Sequence, residues 1–171
     1  ARLMRNRDLT TIEEMQRYLY GSLSDLYDPH LLKDADKGAE IIKEKIEARK
    51  KIRIISDYDV DGVSSNYILY QGLKRCGADV DYKIPDRVED GYGINEHLIE
   101  QAAEDGIDTI ITCDNGIAAS AQIAYGNSLG LTIVVTDHHD IPFQKENDEI
   151  TYLLPPAAAV INPKQKDCSY P

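Results

Sequence analysis

Basic residues are scarce in this sequence relative to acidic ones. It contains 19 Lys and Arg against 30 Asp and Glu, which gives a formal net charge of −11 and a pI near 4.7. This balance argues against a surface that binds nucleic acid through general contacts with phosphates. It does not exclude nucleic acid at a metal site, because bound cations reverse the local sign of the charge.

Cysteines are also few, and the apolar runs are short. The three cysteines form no CxxC pair, and their odd number favours free thiols in a reducing cytoplasm. No apolar run approaches the length of a membrane span, and the N-terminus lacks a signal-peptide core, so we expect no membrane partner. The sequence has no P-loop and no GxGxxG motif, which argues against nucleotide binding by those devices. Nothing in it indicates the oligomeric state.

The sequence does contain a regular alternation of predicted strands and helices. Residues 1–50 are predicted to form a helical lead-in packed on a catalytic domain at residues 51–171. Strands are predicted at 52–57, 80–84, 109–113, 132–136 and 157–161. This order predicts an α/β fold with a doubly wound, mainly parallel five-stranded sheet and helices on both faces. Residues 140–150 are predicted to be a polar, mobile loop.

The tyrosines of the helix after the first strand are predicted to face the core. Tyr67 and Tyr70 lie among apolar residues there, which leaves Tyr58 and Tyr92 as the tyrosines beside the predicted strand ends. Bases can stack on exposed aromatic rings, so these two are candidates for contacts with nucleic acid.

Acids and histidines directly follow three of the predicted strands. They are Asp57, Asp59 and Asp61 after the first, Asp114 after the third, and Asp137, His138 and His139 after the fourth. Open α/β sheets bind ligands at the carboxyl ends of their strands. Converging carboxylates repel one another unless a cation lies between them, and carboxylate with imidazole suits Mn²⁺ or Mg²⁺. The pattern therefore predicts a centre with two metal ions.

Each motif has an ordinary structural explanation when it is taken alone. DYDVDG can be a solvated acidic turn, Asp114-Asn115-Gly116 a tight turn, Asp137 a helix N-cap, and the histidine pair part of an exposed loop. Their joint position at one sheet edge favours the metal centre instead. Two metal ions generate a nucleophile from water and neutralise charge around phosphorus, so the predicted chemistry is metal-dependent phosphoester hydrolysis.

Three other protein classes fit part of the pattern. Haloacid-dehalogenase-like phosphatases place a nucleophilic Asp at the position of Asp57, but they do not explain Asp61 or the histidine pair. Receiver-like signalling domains cluster acids at strand ends and need a Lys after the last strand, for which Lys164 is a weak match. A non-catalytic scaffold that grips single-stranded DNA would also keep the fold. The intact set of acids favours an enzyme over such a scaffold.

The motifs DYDVDG, TCDNG and TDHH, in this order, resemble those of the DHH phosphoesterase superfamily. The loop 87–93 and the run Val160-Ile161-Asn162-Pro163 resemble in particular the RecJ family of exonucleases within it. The resemblance covers nearly the whole chain and implies degradation of single-stranded DNA from the 5′ end to the 3′ end in DNA repair and recombination. A related alternative is hydrolysis of oligoribonucleotides, cyclic dinucleotides or pyrophosphate.

The resemblance also implies roles for the residues of the metal centre. Asp59 and Asp61 each hold one of two Mn²⁺ or Mg²⁺ ions, Asp114 bridges them, and His138 ligates the ion held by Asp61. Asp57 is a further candidate ligand. Some relatives carry a histidine where this chain has Ile55, so the resemblance implies one ligand fewer for the first ion here.

The resemblance implies catalytic roles for Asp114 and His139, and the latter faces the substrate phosphate. Single-stranded DNA would also contact four residues of the 87–93 loop, namely Arg87, Gly91, Tyr92 and Gly93. The family supplies another Asp ligand and a separate substrate-binding domain from downstream sequence. We therefore expect this chain to be a C-terminally truncated part of the enzyme that is inactive alone.

Overall fold

A computed structural model describes residues 2–86, 91, 93–147 and 149–171. The helices are α1 (Arg2–Arg5), α2 (Ile12–Tyr20), α3 (Ala35–Glu47), α4 (Val60–Arg75), α5 (Glu96–Glu104) and α6 (Ser120–Ser128). The strands are β1 (Lys51–Ser56), β2 (Asp79–Lys83), β3 (Thr109–Cys113), β4 (Thr132–Thr136), β5 (Phe143–Glu146), β6 (Glu149–Tyr152) and β7 (Ala159–Ile161). No helix within the described residues has the length and apolar character needed to cross a membrane.

Five strands form a parallel sheet in the order β2-β1-β3-β4-β7. Its central strands are rich in β-branched residues that alternate between the two faces. Ile55 and Ile110 contribute to the core under α5 and α6, whereas Ile54 and Ile111 contribute to the core under α3 and α4. The predicted fold class is therefore confirmed. The order reverses between β1 and β3, which is where open α/β sheets bind ligands.

A hairpin replaces the loop predicted at residues 140–150. Strands β5 and β6 pair antiparallel. At the open end of this hairpin, the Leu153 amide donates to the Pro142 carbonyl at 2.7 Å. The prediction of a structureless segment was wrong because the β-branched and aromatic residues Ile150, Thr151 and Tyr152 favour a strand. Every described residue of β5 and β6 is exposed, so these strands lack the buried apolar side that makes a strand recognisable in a sequence.

Helix α4 exposes a tyrosine that was predicted to face the core. Tyr67 is 66% exposed, while Tyr70 is half-buried, with its ring edge-on to that of Tyr82. The buried side of α4 instead carries Gly62, Asn66 and Leu73. These residues lie at helical spacings of four and seven, whereas position 67 falls on another side of the helix. The apolar composition of α4 therefore overstated how much of it is buried.

The lead-in has two parts that differ in burial. Helix α2 begins with a capping box, in which the Glu14 amide donates to Thr11 Oγ1 at 3.1 Å, yet no residue of α1 or α2 is buried. Helix α3 packs on the sheet, where a Cβ on Gly38 would lie 2.8 Å from Ile161 Cδ1. Its close approach makes α3 a layer of the α/β fold. A boundary at residue 50 stays a prediction.

Candidate metal centre

The first acidic motif forms the turn between β1 and α4. Asp57 is buried at the end of the strand, and its Oδ1 accepts the Tyr58 amide at 2.7 Å. Asp59 caps α4 by accepting the Gly62 amide at 3.0 Å, and this hydrogen bond lowers the pKa of the Asp59 carboxyl. A Cβ on Gly62 would lie 2.3 Å from the Asp57 carbonyl oxygen, so the turn requires glycine there.

Asp114 follows β3 in a left-handed backbone conformation, with φ at 62°. Its amide donates to the Thr136 carbonyl of the neighbouring strand at 3.1 Å. The next residue, Asn115, is buried and donates through Nδ2 to the carbonyls of Ile55 (3.1 Å) and Cys113 (3.0 Å). This side chain therefore joins the ends of β1 and β3. Burial raises the pKa of the Asp114 carboxyl.

The two histidines after β4 contact different acids. His138 Nε2 lies 2.8 Å from Asp114 Oδ1, and His139 Nδ1 lies 2.7 Å from Asp137 Oδ1. Asp137 also accepts the amides of His138, at 2.7 Å, and of Ile117, at 2.9 Å. Its hydrogen bond to His139 raises the pKa of that imidazole. Adjacent histidines are thus oriented by separate carboxylates.

These side chains form two groups that share one residue. One ligand atom each from Asp57, Asp59 and Asp114 lies within 4.8 Å of the others, and the same holds for Asp114, His138 and His139. The groups contain oxygen donors on one side and mixed oxygen and nitrogen donors on the other. Such donors fit divalent cations of the Mn²⁺ and Mg²⁺ type. Each group could therefore hold a divalent cation, and Asp114 contributes a donor to both groups.

Asp61 belongs to neither group. It lies in the exposed first turn of α4 and lines, with Asp114 and His138, an open cleft of about 570 Å³. A second cleft, of about 600 Å³, lies beside His139 and is also lined by Gly93. The Asp114 side chain is 5% exposed and that of His138 is 59% exposed, so the site opens to solvent on the histidine side.

The predicted substrate loop is only partly described. Gly91 is exposed and Gly93 is buried, with φ at 76° and 69°, conformations that favour glycine. Arg87 and Tyr92 lie outside the described residues. Their contacts with nucleotide, like the roles assigned to the other site residues, stay predictions.

Sequence reasoning missed two kinds of supporting residue. Asp137 was considered as a helix N-cap or a member of the metal group, whereas its carboxylate binds backbone amides and the His139 ring. The only sequence signal for this role was its position directly before the histidine pair. Asn115 and Asn162 are buried and donate to backbone carbonyls at the strand ends. The contacts with Ile55 and with the His139 carbonyl join residues that are distant in sequence, so no local pattern indicated them.

The chain resembles known proteins over most of its length. The model of the DHH family, N-terminal domain, matches residues 51–170. The chain is 38% identical to the single-stranded-DNA-specific exonuclease RecJ of Bacillus subtilis (strain 168), over 100% of this chain and 21% of the relative. It is 33% identical to RecJ of Escherichia coli (strain K12), over 99% of this chain and 27% of the relative. It thus spans 21% to 27% of the length of these relatives.

Solved structures show the same likeness. An exonuclease RecJ bound to manganese superposes with a TM-score of 0.71 at 32% identity, over 83% of this chain and 34% of that chain. RecJ of Thermus thermophilus in complex with Mn²⁺ gives a TM-score of 0.67 at 26% identity, over 98% of this chain and 22% of the other. The match of the family model to most of the sequence, together with these likenesses, establishes that the chain belongs to the DHH family.

Proposed function

We propose that the chain carries the metal-binding part of an exonuclease that degrades single-stranded DNA from its 5′ end. The reaction is hydrolysis of phosphodiester bonds with two divalent cations, Mn²⁺ or Mg²⁺. One observation carries the proposal: Asp114 shares a group of ligand atoms with Asp57 and Asp59 and also lies 2.8 Å from His138. A carboxylate in that position would serve both cations of a site in which two metal ions act on the attacking and leaving oxygens.

The comparisons support the choice of substrate and metal. Relatives that match the whole chain are single-stranded-DNA-specific exonucleases, and two similar solved structures contain manganese. In this chain, Asp57 and Asp59 would hold one ion and His138 the other, with Asp114 between them. Asp61 has an exposed side chain and lines the same cleft as Asp114 and His138, so it is assigned to the second ion as well.

Two bound cations supply an activated water nucleophile and neutralise the oxygens around phosphorus. The chain's own residues orient the substrate around that centre. Asp137 engages His139 Nδ1, so that Nε2 of the same ring is the atom assigned to a phosphate oxygen or to the leaving oxygen. The ring of His139 is 45% exposed and borders the cleft that contains Gly93, which favours substrate on that side.

Binding of DNA must rely on more than this chain's surface. A net charge of −11 offers little general attraction to a polyanion, so the cations and a few local contacts carry the recognition here. The loop residues Arg87, Gly91, Tyr92 and Gly93 are proposed to contact the terminal nucleotide. We assign most contacts with the DNA strand to regions that the longer relatives have and that this chain does not span.

The test uses the complete protein, Mn²⁺ and a single strand labelled at its 5′ end. We expect release of labelled mononucleotide from the start of the reaction, and a loss of about 100-fold or more in Asp114→Ala. Glu104→Ala removes an exposed acid at the end of α5 and serves as the matched control with unchanged rate. Hydrolysis of pyrophosphate or short oligoribonucleotides without release from DNA would contradict the proposed substrate.

A further inference from the structure

Asn162 connects the last strand of the sheet to the histidine motif. It directly follows β7 and is completely buried, with 0% of its surface exposed. Its Nδ2 donates to the backbone carbonyl of His139 at 3.0 Å, and its Oδ1 accepts the Lys164 amide at 2.8 Å. The side chain therefore uses both ends of its amide to join the loop after β7 to the loop after β4.

Two other contacts join the same loops, but they differ in kind. The Asp137 amide donates to the Ile161 carbonyl at 3.0 Å, which continues the pairing of β4 with β7. Lys164 Nζ contacts Asp140 Oδ1 at 2.8 Å on the exposed surface, where an ion pair contributes little. Asn162 differs from both, because its buried side chain reaches the histidine backbone from the other loop. Water cannot readily replace this contact, since Asn162 is closed to solvent.

We infer that Asn162 is a positioning residue of the metal centre, which holds the backbone of His138 and His139 at the distance from Asp114 that metal binding needs. The inference rests on the proposed function. His138 Nε2 lies 2.8 Å from Asp114 Oδ1, so the position of the loop after β4 relative to the end of β3 sets this contact. Partners that orient metal ligands from outside the coordination shell commonly change metal affinity or activity by about 10- to 100-fold when they are removed.

Gln165 provides a matched control in the same segment. It is also buried, with 5% of its surface exposed, and its Nε2 donates to the Val160 carbonyl at 2.6 Å. Its hydrogen bond joins the loop after β7 to β7 itself and does not reach the histidines. Asn162→Ala and Gln165→Ala therefore remove the same chemical group from neighbouring buried positions. Both replacements are neutral, so neither changes the electrostatic attraction for a cation.

The first measurement is the affinity of the complete protein for Mn²⁺, determined by calorimetry for the wild type and each variant. Thermal unfolding is recorded for the same proteins. We expect the dissociation constant to rise about 10- to 100-fold in Asn162→Ala and to stay near the wild-type value in Gln165→Ala. The second measurement is backbone hydrogen exchange without metal. The amides of His138 and His139, which donate to Asp137, should exchange faster in Asn162→Ala alone.

Equal losses of affinity in the two variants, or no loss in Asn162→Ala, would overturn the inference. If Asn162→Ala does not fold, Asn162→Ser, which keeps a short donor, takes its place. Unfolding of both would show that Asn162 supports the whole fold, and would also overturn the positioning role. Neither measurement uses DNA. Failure of the wild-type protein to hydrolyse DNA would therefore contradict the proposed function. The role of Asn162 would still be decided by the affinity and hydrogen-exchange measurements.

Discussion

Asp114 has a left-handed backbone conformation that is unusual for a residue with a side chain, together with a buried carboxylate. Such conformations persist where the surrounding structure imposes them, and they cluster at functional sites. Here the Asp114 amide bonds to β4 while the carboxylate faces the acids after β1 and His138. The single residue thus spans the ends of three strands.

Replacing Asp114 should separate metal binding from the stability of the metal-free fold. Burial raises the pKa of this carboxyl, so ionising it is unfavourable in the folded state. Its contribution to stability is present below the unfolded pKa and is lost as the pH rises through the raised value. At neutral pH we expect Asp114→Asn to raise the melting temperature without metal and to abolish stabilisation by Mn²⁺. Thermal unfolding with and without Mn²⁺ measures both, and a lower melting temperature in the metal-free variant would contradict the argument.

Metal affinity should fall as the pH is lowered. Carboxylate and imidazole ligands must release their protons before they bind a cation. Because the pKa of Asp114 is raised, its proton competes with the metal at a higher pH than that of an ordinary aspartate. Calorimetric titration with Mn²⁺ at several pH values should show this decrease, accompanied by proton release in buffers of different ionisation enthalpy. A pH-independent affinity would exclude Asp114 as a ligand.

His139→Ala should damage turnover more than metal loading. The two histidines face different acids, and His139 is oriented by Asp137 rather than by Asp114. Loss of a positioned proton donor or phosphate contact typically costs about 10²- to 10⁴-fold in rate. Steady-state kinetics and bound manganese are to be compared in the complete protein, with His138→Ala as the variant that should lose metal. A parallel collapse of metal content and activity in His139→Ala would remove this division of roles.

At the scale of elements, the turn between β1 and α4 sets the direction of two acids. Asp57 ends the strand and Asp59 caps the helix, and Gly62 lets the first turn of α4 pass against the Asp57 carbonyl. The strand and the helix are therefore joined with no space for a side chain at the glycine. This close approach explains the glycine at the end of DYDVDG.

Two glycines of α4 should respond oppositely to alanine. In Gly62→Ala the new Cβ would meet backbone at 2.3 Å, so we expect a loss of about 1–3 kcal/mol in the free energy of unfolding and weaker Mn²⁺ binding. In Gly72→Ala nothing lies within 4 Å, and the helix should gain about 0.5–1 kcal/mol. Urea unfolding measures both. Equal effects at the two positions would show that helix propensity, and not the close approach, governs Gly62.

At the scale of the whole molecule, this chain alone should fold but hydrolyse single-stranded DNA at a negligible rate. Its parallel sheet has helices and a core on both faces, which can support folding. Catalysis is expected to need more than this domain, because the relatives with exonuclease activity are much longer than the chain. The chain spans only 21% to 27% of its relatives, and its charge of −11 repels DNA. Comparable mononucleotide release by this chain and by the complete protein would refute the prediction.

Periodicity and composition were sufficient for the parallel sheet and for the position of the motifs at its carboxyl edge. The three central strands β1, β3 and β4 are marked by β-branched runs, and each motif follows one of them directly, so local sequence carries the information. The same local rules gave wrong predictions where the outcome depends on which side of an element is buried. Tyr67 has the composition of a core residue but lies on the exposed side of α4, and the strands of the exposed hairpin were taken for a loop.

The amino-acid sequence by itself determined the family, the fold class and the set of residues available to bind metal. Only the tertiary structure decided which of them meet. Strand order brings Asp114 between Asp57 and His138, although they are far apart along the chain. Asp61 stays outside both groups because it lies in the first turn of α4, past the residue that caps the helix. It also decided that a buried amide, that of Asn162, contacts the histidine loop. The physical reason is that these contacts join strands which become neighbours only when the sheet assembles.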